Sequence, residues 1–292
     1  MTVALELADR FEALRPRLLR LAYGHLGSLA EAEDVLQDAW LRLQRVDASE
    51  IRDLHGWLTT VVSRLALDAL RSARVRREAY VGPWLPEPVV QELGPEARAE
   101  QAEDVSLALL VVLESLSASE RIAFVLHDVF GYSFDEVSAA LGTSSASARQ
   151  HASRARKAVK ARRPRFPATR EQQRDVIVAF GKAAREGDVA GLLSLLHPDV
   201  VFTSDGGGRV VAPRKPIEGA DHVARLSKAL AGKGGAGATW EIVDINGLPG
   251  WMGLGTDGNV TVISFTVDDG RIVAIDVQRN PEKLRRLPSA EM

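Results

Sequence analysis

The sequence predicts a multidomain protein in which two all-α blocks are followed by a block of the α+β class. Apolar residues recur at helical spacing through residues 3–79 and again through 96–163. A proline-rich stretch separates these two blocks. In residues 171–287 helical spacing gives way to the period-two alternation typical of β-strands, which indicates the α+β class for the third block.

The first block contains three predicted helices. An apolar stripe at positions 7, 11, 14, 18 and 21 predicts the first helix. Ser28 with Glu31 has the form of a capping box and predicts the start of the second. A polar loop at residues 47–55 precedes the third helix, which is expected to begin near Gly56 and to run into a cluster of arginines.

The stretch between residues 80 and 95 is rich in proline and glycine. Because proline fixes φ and lacks an N–H donor, we expect an extended linker here. Trp84 and Leu85 are unusual in a solvated linker. They either dock on the nearest domain or form a docking point for another part of the machinery in which the protein works.

The second block has the pattern of a helix-turn-helix. Capping boxes at Ser117 and Ser133 predict two helix starts, and Gly142 fits a left-handed stop before a short turn. The helix after the turn is expected to bury Ala148, Ala152, Ala155 and Val159. Its outward face carries Arg149, Gln150, Ser153, Arg154 and Arg156. Arg and Gln side chains bond guanine and adenine edges, whereas Lys157, further along, suits backbone phosphates.

Charge is segregated along the chain. The formal net charge of −2 argues by itself against a nucleic-acid binder. Residues 81–115 carry net −6, however, and residues 116–170 carry net +6. A basic amphipathic helix at a protein surface would show the same basic run, but the preceding helix, the turn and the capping boxes favour DNA binding.

The composition also indicates the cellular compartment in which the protein works. Cysteine is absent, which excludes disulfides and cysteine-ligated metals and favours a reducing compartment. The longest apolar run, Leu107–Leu113, has seven residues, far fewer than the roughly 18 that span a bilayer. The acidic N-terminal segment does not resemble a signal peptide. We therefore expect a cytoplasmic protein with no membrane partner.

The third block begins with helical spacing over positions 176–184 and a short helix at 190–196 capped by Asp188. Strands are then predicted at residues 200–203, 209–212, 240–245, 260–267 and 272–277. A helix at about 219–230 interrupts them, and a glycine-rich loop follows it.

Two motifs stand out in the first two blocks, AEDVLQDAWLRLQRV at residues 32–46 and LGTSSASARQHASRARKAV at residues 141–159. With them, these blocks resemble a bacterial RNA polymerase sigma factor of the extracytoplasmic-function (ECF) class, in the sigma-70 superfamily. The first motif resembles the helix that binds the polymerase clamp, and the second resembles the helix that reads the minus-thirty-five element. The resemblance implies polymerase contacts at Asp34, Val35, Gln37, Asp38, Trp40 and Leu41. It implies minus-ten contacts at Asp53, His55, Arg71 and Arg74. It places core RNA polymerase and promoter DNA among the partners, with upstream contacts through Arg149, Gln150, Ser153, Arg154, Arg156 and Lys157.

The third block resembles a SnoaL-like domain of the NTF2-like fold, which a subgroup of these sigma factors carries. Three motifs match that subgroup: WLPEP, SDGGGR and NPEKL. The family usually has lysine after the glycines, where this chain has Arg209. The expected domains are sigma2 at 1–79, a linker at 80–95, sigma4 at 96–165 and the SnoaL-like domain at 171–292.

The resemblance implies control of the sigma factor from within the same chain, without a separate anti-sigma factor. The residues expected to make the regulatory contacts are Trp84, Leu85, Pro86, Glu87, Pro88, Asp205, Gly206, Gly207, Gly208, Arg209, Asn280, Pro281, Lys283 and Leu284. Because a tethered domain meets its site at an effective millimolar concentration, weak contacts suffice.

The sequence also has to be compared with two other functions, an enzyme and a one-component regulator. Some NTF2-like relatives are enzymes, and Asp205, Asp221, His222 and His197 are candidate acid–base groups, but their spacing forces no catalytic constellation. We expect no catalysis, cofactor or metal. The alternative function is a one-component helix-turn-helix regulator with a ligand-binding cone, which would bind duplex DNA without polymerase. A repressor has no need of the clamp-binding helix at 32–46.

Overall fold

A computed structural model describes residues 2–47, 51–91, 105–162, 166, 168–234, 239–255 and 257–287. The chain divides into two compact units. The first unit comprises residues 1–78 and 112–162, and the second comprises residues 79–111 and 163–292. The expected fold class, helical blocks followed by an α+β block, is confirmed.

The first unit is helical throughout its described elements. Its first block consists of α1 (Thr2–Leu26), α2 (Leu29–Leu43) and α3 (Leu54–Glu78). After α4 (Leu107–Leu113), which lies at the boundary between the units, the second block consists of α5 (Ala118–Phe124), α6 (Phe134–Leu141) and α7 (Ser145–Arg162). A π-helical turn, Val125–Val129, continues α5.

Capping explains where these helices begin. Ser117 and Ser133 both form complete capping boxes, with Glu120 and Glu136 reaching back to the cap backbone. At Ser28 the side chain accepts a hydrogen bond from the N–H of Glu31. Each cap satisfies N–H donors that the first helical turn leaves without partners and contributes about 1 kcal/mol.

The two helical blocks pack directly on each other within the first unit. Helix α3 contacts α5 and α6. The Thr59 hydroxyl lies 3.1 Å from the hydroxyl of Tyr132, and the guanidinium of Arg64 donates to the carbonyl of Ala139 at 2.7 and 3.2 Å. Nearby, burial and the charge of Arg121 lower the pKa of His25 to about 3.

In its described residues, the second unit joins three helices to a seven-stranded sheet. The helices are α8 (Arg170–Glu186), α9 (Val189–Leu195) and α10 (Ala220–Gly234). The strands are β1 (Val90–Gln91), β2 (Leu196–Asp205), β3 (Ile217–Glu218), β4 (Thr239–Ile245), β5 (Leu248–Leu254), β6 (Val260–Asp268) and β7 (Arg271–Gln278). The spatial order is β1-β4-β5-β6-β7-β2-β3, with only β2 and β7 parallel.

The helices cover one face of this sheet. The core beneath them contains Phe180, Trp251 and Phe265, whose ring centroids lie 4.9 to 6.2 Å apart. A Cβ at Gly181 would lie 2.8 Å from the Trp251 ring, so the close approach of α8 requires glycine there. The aromatic side chains therefore fill the space between helices and sheet.

One predicted strand is wrong, and strands β1, β3 and β5 were not predicted. Residues 209–212, expected to form a strand, lie in the turn that follows β2. Strand β5 was not predicted, because its sequence LPGWMGL contains a proline and two glycines, which are depleted in strands. Its backbone hydrogen bonds are nevertheless satisfied, because β5 lies between β4 and β6. Val243 pairs with Gly250, and Met252 pairs with Val262.

Candidate functional site

Helix α7 buries the face that its sequence predicts. Ala148, Ala152, Ala155 and Val159 are all buried, which confirms the expected inward face. The six residues predicted to contact DNA are all exposed: Arg149, Gln150, Ser153, Arg154, Arg156 and Lys157. Four of these, at positions 150, 153, 154 and 157, have the spacing of one continuous helical stripe.

The remaining two, Arg149 and Arg156, contact the elements beside α7. The Arg149 guanidinium lies over the Phe134 ring, with Cζ 5.3 Å from the centroid. Arg156 donates to the carboxylate of Asp128 at 2.5 Å. The structure therefore separates the predicted DNA contacts into an outward stripe and two arginines that already have intramolecular partners.

Glu120 lies close to the basic face. Burial acts to raise the pKa of Glu120, but hydrogen bonds from Ser117 and the charges of His151 and Arg154 outweigh it and lower that pKa. Acidic groups on α5 and its π-helical turn thus partly balance the arginines of α7.

Helix α2 presents a polar stripe with one leucine. Asp34, Gln37 and Asp38 are exposed, and Leu41 is 41% exposed, which is high for a leucine. Trp40 is half-buried, with its ring 5.0 Å from that of Phe11.

Val35 requires a correction to the predicted polymerase contacts. It is buried with Ala32, Leu36 and Ala39 on the inner face of α2. Its side chain therefore stabilises the helical block and lies away from the exposed stripe. Val35 was included because the resemblance carries the role over to the whole motif, and consecutive positions of a helix such as 34 and 35 lie on different faces.

The predicted minus-ten residues lie at the start of α3 and along it. Asp53 precedes the helix, and its carbonyl accepts the N–H of Trp57 at 3.0 Å. His55 Nε2 lies 3.3 Å from the hydroxyl of Tyr132, and the two rings stack at 6.0 Å. Arg71 is exposed and pairs loosely with Asp68 at 3.7 Å. The side chain of Arg74 lies outside the described residues.

A buried carboxylate, Asp205, organises the third predicted site. It is fully buried at the end of β2. Its oxygens accept five hydrogen bonds: from Tyr80 Oη at 2.6 Å, Leu85 N at 2.9 Å, Gly207 N at 3.0 Å, Gln278 Nε2 at 3.4 Å and Lys283 Nζ at 2.7 Å. We call Asp205 and these five donors the linker junction. The linker, the glycine turn and the C-terminal tail therefore all donate hydrogen bonds to the Asp205 side chain.

Further contacts surround the junction. The Lys283 ammonium lies 3.9 Å from the centroid of Trp84 and 5.2 Å from that of Tyr80. Asn280 donates to the Tyr80 hydroxyl at 2.8 Å. Burial and the hydrogen bond to Asp205 raise the pKa of Tyr80, so it remains a neutral donor. Gly207 has φ +61°, and a Cβ there would lie 2.4 Å from Asn280 Cγ, so this turn requires glycine.

The other predicted regulatory residues divide by exposure. Those that are buried are Leu85, Pro86, Glu87, Pro88, Gly206, Asn280 and Leu284. Those that are exposed are Gly208, Arg209 and Pro281. Arg209 forms an exposed ion pair with Glu282 at 2.8 Å, so the arginine also connects the glycine turn to the tail.

The sequence did not point to Asn246. This residue lies in the β4–β5 turn with φ +50°. Its side chain accepts from the N–H of Val89 at 3.0 Å and donates to the carbonyl of Val105 at 3.2 Å. Its backbone N–H donates to the carbonyl of Val89. The Asn-Gly turn of a hairpin was the available signal, but nothing in the sequence indicated that the linker would reach it.

The candidate acid–base residues do not assemble. Asp205 is fully engaged in the linker junction, while Asp221 and His222 lie exposed at the start of α10. His197 accepts the backbone N–H of Asp199. Within the described ranges, no group of three His, Asp or Glu side chains is placed to hold a metal ion. No described helix is long and apolar enough to cross a membrane.

Comparison with known families decides the identity. The Sigma-70 region 2 model matches residues 10–76, and the Sigma-70 region 4 model matches residues 106–159. The chain is 44% identical over 296 residues to "ECF RNA polymerase sigma factor SigJ" of Mycobacterium tuberculosis (strain ATCC 25618 / H37Rv), covering 97% of this chain and 95% of that one. This chain is an ECF RNA polymerase sigma factor. The finding favours this function over the one-component regulator.

Two further matches agree with this family. "Probable ECF RNA polymerase sigma factor SigI" of the same organism is 32% identical over 278 residues, covering 94% of this sigma factor and 93% of that protein. The crystal structure of Mycobacterium tuberculosis SigJ superposes with a TM-score of 0.79 at 40% identity, covering 96% of this chain and 99% of that one. The ECF sigma factor described here therefore shares its C-terminal α+β block, as well as its helical blocks, with SigJ.

Proposed function

We propose that the C-terminal domain of this sigma factor controls promoter recognition in cis by holding the linker between the two helical blocks. The linker junction carries the proposal. Asp205 of the C-terminal domain accepts hydrogen bonds from both Tyr80 and Leu85 of the linker, and it is fully buried beneath them. A carboxylate buried in this way needs all of its donors, so the linker cannot leave without a large cost in free energy.

The linker is also held at a second place. Strand β1 pairs with the edge of β4, with Val90 opposite Ile245. Asn246 binds Val89 on one side of residues 92–104 and Val105 on the other. Both ends of that segment are therefore fixed to the same side chain.

Holding the linker can control promoter recognition because the two helical blocks must move apart to reach both promoter elements. The minus-ten and minus-thirty-five elements lie about 25 base pairs apart, roughly 85 Å of duplex at 3.4 Å per base pair. In the first unit the two blocks pack directly together through Thr59, Arg64 and Tyr132. Reading both elements at once requires them to separate, and a linker held at two places opposes this.

We propose the exposed stripe of α2 as the polymerase-binding surface, with Asp34, Gln37, Asp38 and Leu41 as its contacts. Exposed Leu41 within an acidic stripe supports this role, because an exposed apolar side chain ringed by charge is typical of a partner surface. Trp40, packed on Phe11, holds the helix that presents the stripe. We place this function in the cytoplasm, where core RNA polymerase works.

For DNA we propose two sets of contacts. The outward stripe of α7 and Arg149 read and hold the minus-thirty-five element. Asp53, His55, Arg71 and Arg74 contact the minus-ten element. The exposure of the α7 residues supports the first set, while the hydrogen bond between His55 and Tyr132 must break before His55 reaches DNA.

We propose no catalysis by the C-terminal domain. Its core is filled by Phe180, Trp251 and Phe265, which leaves its acid–base candidates on the surface or in the linker junction. Restraint by a domain of the same chain also makes a separate anti-sigma factor unnecessary for this control.

The proposal is tested with Asp205→Asn in the full chain. The amide keeps the size of the side chain but loses the charge that holds Lys283 and Tyr80. We expect faster hydrogen exchange at the amides of Leu85, Glu87, Val89 and Val90 and at least fivefold tighter binding to core RNA polymerase. Asp199→Asn, an exposed position on the same strand, is the matched control. Unchanged polymerase affinity together with a loosened linker would contradict control by the C-terminal domain.

A further inference from the structure

We propose that Phe134 is a positioning residue for Arg149 and thereby determines how strongly α7 discriminates the base pair of the upstream element that Arg149 reads. The inference rests on the proposed DNA-reading role of α7. Phe134 is the first residue of α6, and its ring lies under the Arg149 guanidinium at 5.3 Å. Phe134 itself is not among the predicted DNA contacts.

The placement of α7 against α6 holds the Arg149 guanidinium over the Phe134 ring. Ser145 and Arg149 are four residues apart, so they share a face of α7. Ser145 Oγ donates to Asp135 Oδ1 at 2.5 Å, and Asp135 is the neighbour of Phe134. Two successive turns of α7 therefore contact the first turn of α6, and the contact at Ser145 sets the height of Arg149 relative to the ring.

The ring of Phe134 is itself held. The His127 ring stacks on it with centroids 3.9 Å apart and an interplanar angle of 28°. His127 Nδ1 lies 2.8 Å from the carbonyl oxygen of Tyr132, which anchors the imidazole to the backbone after the π-helical turn. A ring packed in this way cannot tilt freely, so it offers the guanidinium a fixed plane.

Stacking suits base reading because it uses a different part of the guanidinium. The attraction to the ring acts through the guanidinium face, whereas its N–H donors point outward from the edge. Those edge donors remain available for the two acceptors of a guanine in the major groove. A side chain held in advance also loses less rotamer freedom on binding, which strengthens the specific complex alone.

The test uses holoenzyme assembled from the full chain and core RNA polymerase. A duplex library pairs each randomised upstream element with an identifying tag downstream of the start site, and base preferences are read from the tags in the run-off products. Arg149→Ala identifies the base pair that Arg149 reads. We expect Phe134→Leu to reduce the preference at that same base pair by roughly three- to fivefold, the size of an exposed cation–π contact. Phe134→Tyr, which keeps the ring, should retain the preference.

A double variant separates positioning from folding. Phe134→Leu combined with Arg149→Ala should lose no more than Arg149→Ala alone, because the two residues act as one unit. A merely structural role would weaken all library members equally and add to the Arg149→Ala loss, which would overturn the inference. If Arg149→Ala shifts the profile and Phe134→Leu does not, the inference fails while the proposed reading role stands. A profile that Arg149→Ala leaves unchanged would overturn both the inference and the proposed reading role.

Discussion

The Lys283 ammonium lies 2.7 Å from a carboxylate oxygen of Asp205, and the carboxylate is fully buried. Removing the lysine charge would leave an uncompensated anion in the second unit. We therefore expect Lys283→Met to destabilise that unit by about 3–5 kcal/mol, as for other buried pairs that lose one partner. Urea unfolding, followed through amide exchange in β6 and β7, measures the effect.

The control for this prediction is Arg209→Met. Arg209 pairs with Glu282 in the same region, but both side chains are about half exposed or more, at 66% and 49%. Exposed pairs contribute little, so the change in unfolding free energy should stay below about 1 kcal/mol. Equal losses of unfolding free energy in Lys283→Met and Arg209→Met would contradict the conclusion that the buried pair with Asp205 stabilises this unit.

Asn246→Gly tests the second attachment of the linker. Glycine accepts the φ of +50° at this position, so the variant removes the side chain without straining the turn. We expect the Val89 amide, which donates to Asn246 Oδ1, to exchange at least tenfold faster. Asp269→Gly is the matched control, since Asp269 has φ +48° in the β6–β7 turn. Equal effects at Val89 from both variants would contradict the role of the Asn246 side chain.

Asp128→Asn tests whether Arg156 is restrained from binding DNA. The change releases Arg156 from its 2.5 Å ion pair. We expect tighter binding to a random duplex and a steeper salt dependence, by about 0.9 in the slope of log affinity against log salt for one added phosphate contact. Fluorescence anisotropy over a salt series measures both quantities.

Asp135→Asn is the control for this experiment. It removes one acidic charge beside α7, and the amide oxygen of the asparagine can still accept the hydrogen bond from Ser145. Its salt slope should remain that of the parent chain. The same increase in both variants would assign the effect to net charge and not to Arg156.

Burial raises the pKa of Asp276 on β7 to about 7. The folded protein therefore keeps this proton between about pH 4 and pH 7, while the unfolded chain releases it. The contribution of Asp276 to the free energy of unfolding is complete below pH 4. It decreases as the pH rises from about 4 to about 7, by at most about 1.4 kcal/mol per pH unit.

Asp276→Asn should remove this dependence. We expect the variant to match the parent near pH 4 and to exceed its unfolding free energy at pH 7 and above, as measured by urea unfolding at several pH values. Asp199→Asn, at an exposed position of β2, should leave the profile unchanged. The lowered pKa of His25 gives an opposite slope between about pH 3 and pH 6.5, so the difference between variant and parent is the quantity to compare. A difference in unfolding free energy that is the same at pH 4 and pH 7 would show that the Asp276 pKa is not raised.

Local signals account for the parts of the fold that were predicted correctly. The capping boxes at Ser117 and Ser133, the left-handed Gly142 and the buried alanines of α7 depend on spacings of three and four residues along one helix. Such short-range patterns determine helix ends and faces wherever the helices pack. They also placed the candidate DNA contacts correctly on the outside of α7.

Other features depended on residues that are distant in sequence. Strand β5 forms despite its glycines because β4 and β6 satisfy its backbone on both sides. Val35 was assigned as a contact by resemblance to the clamp-binding motif, which does not say which residues of α2 face α1 and α3.

By itself, the sequence determined the helical blocks, the class of the third block, the family and the motifs that meet at Asp205. Only the tertiary structure decided that the proline-rich linker is bound. An extended segment has the same backbone in water as along a sheet edge, and the difference lies in partners more than 100 residues away, such as Asp205 for Leu85 and Asn246 for Val89. Because such contacts leave no periodic trace in the linker, its attachment to the C-terminal domain becomes visible only once the chain is folded.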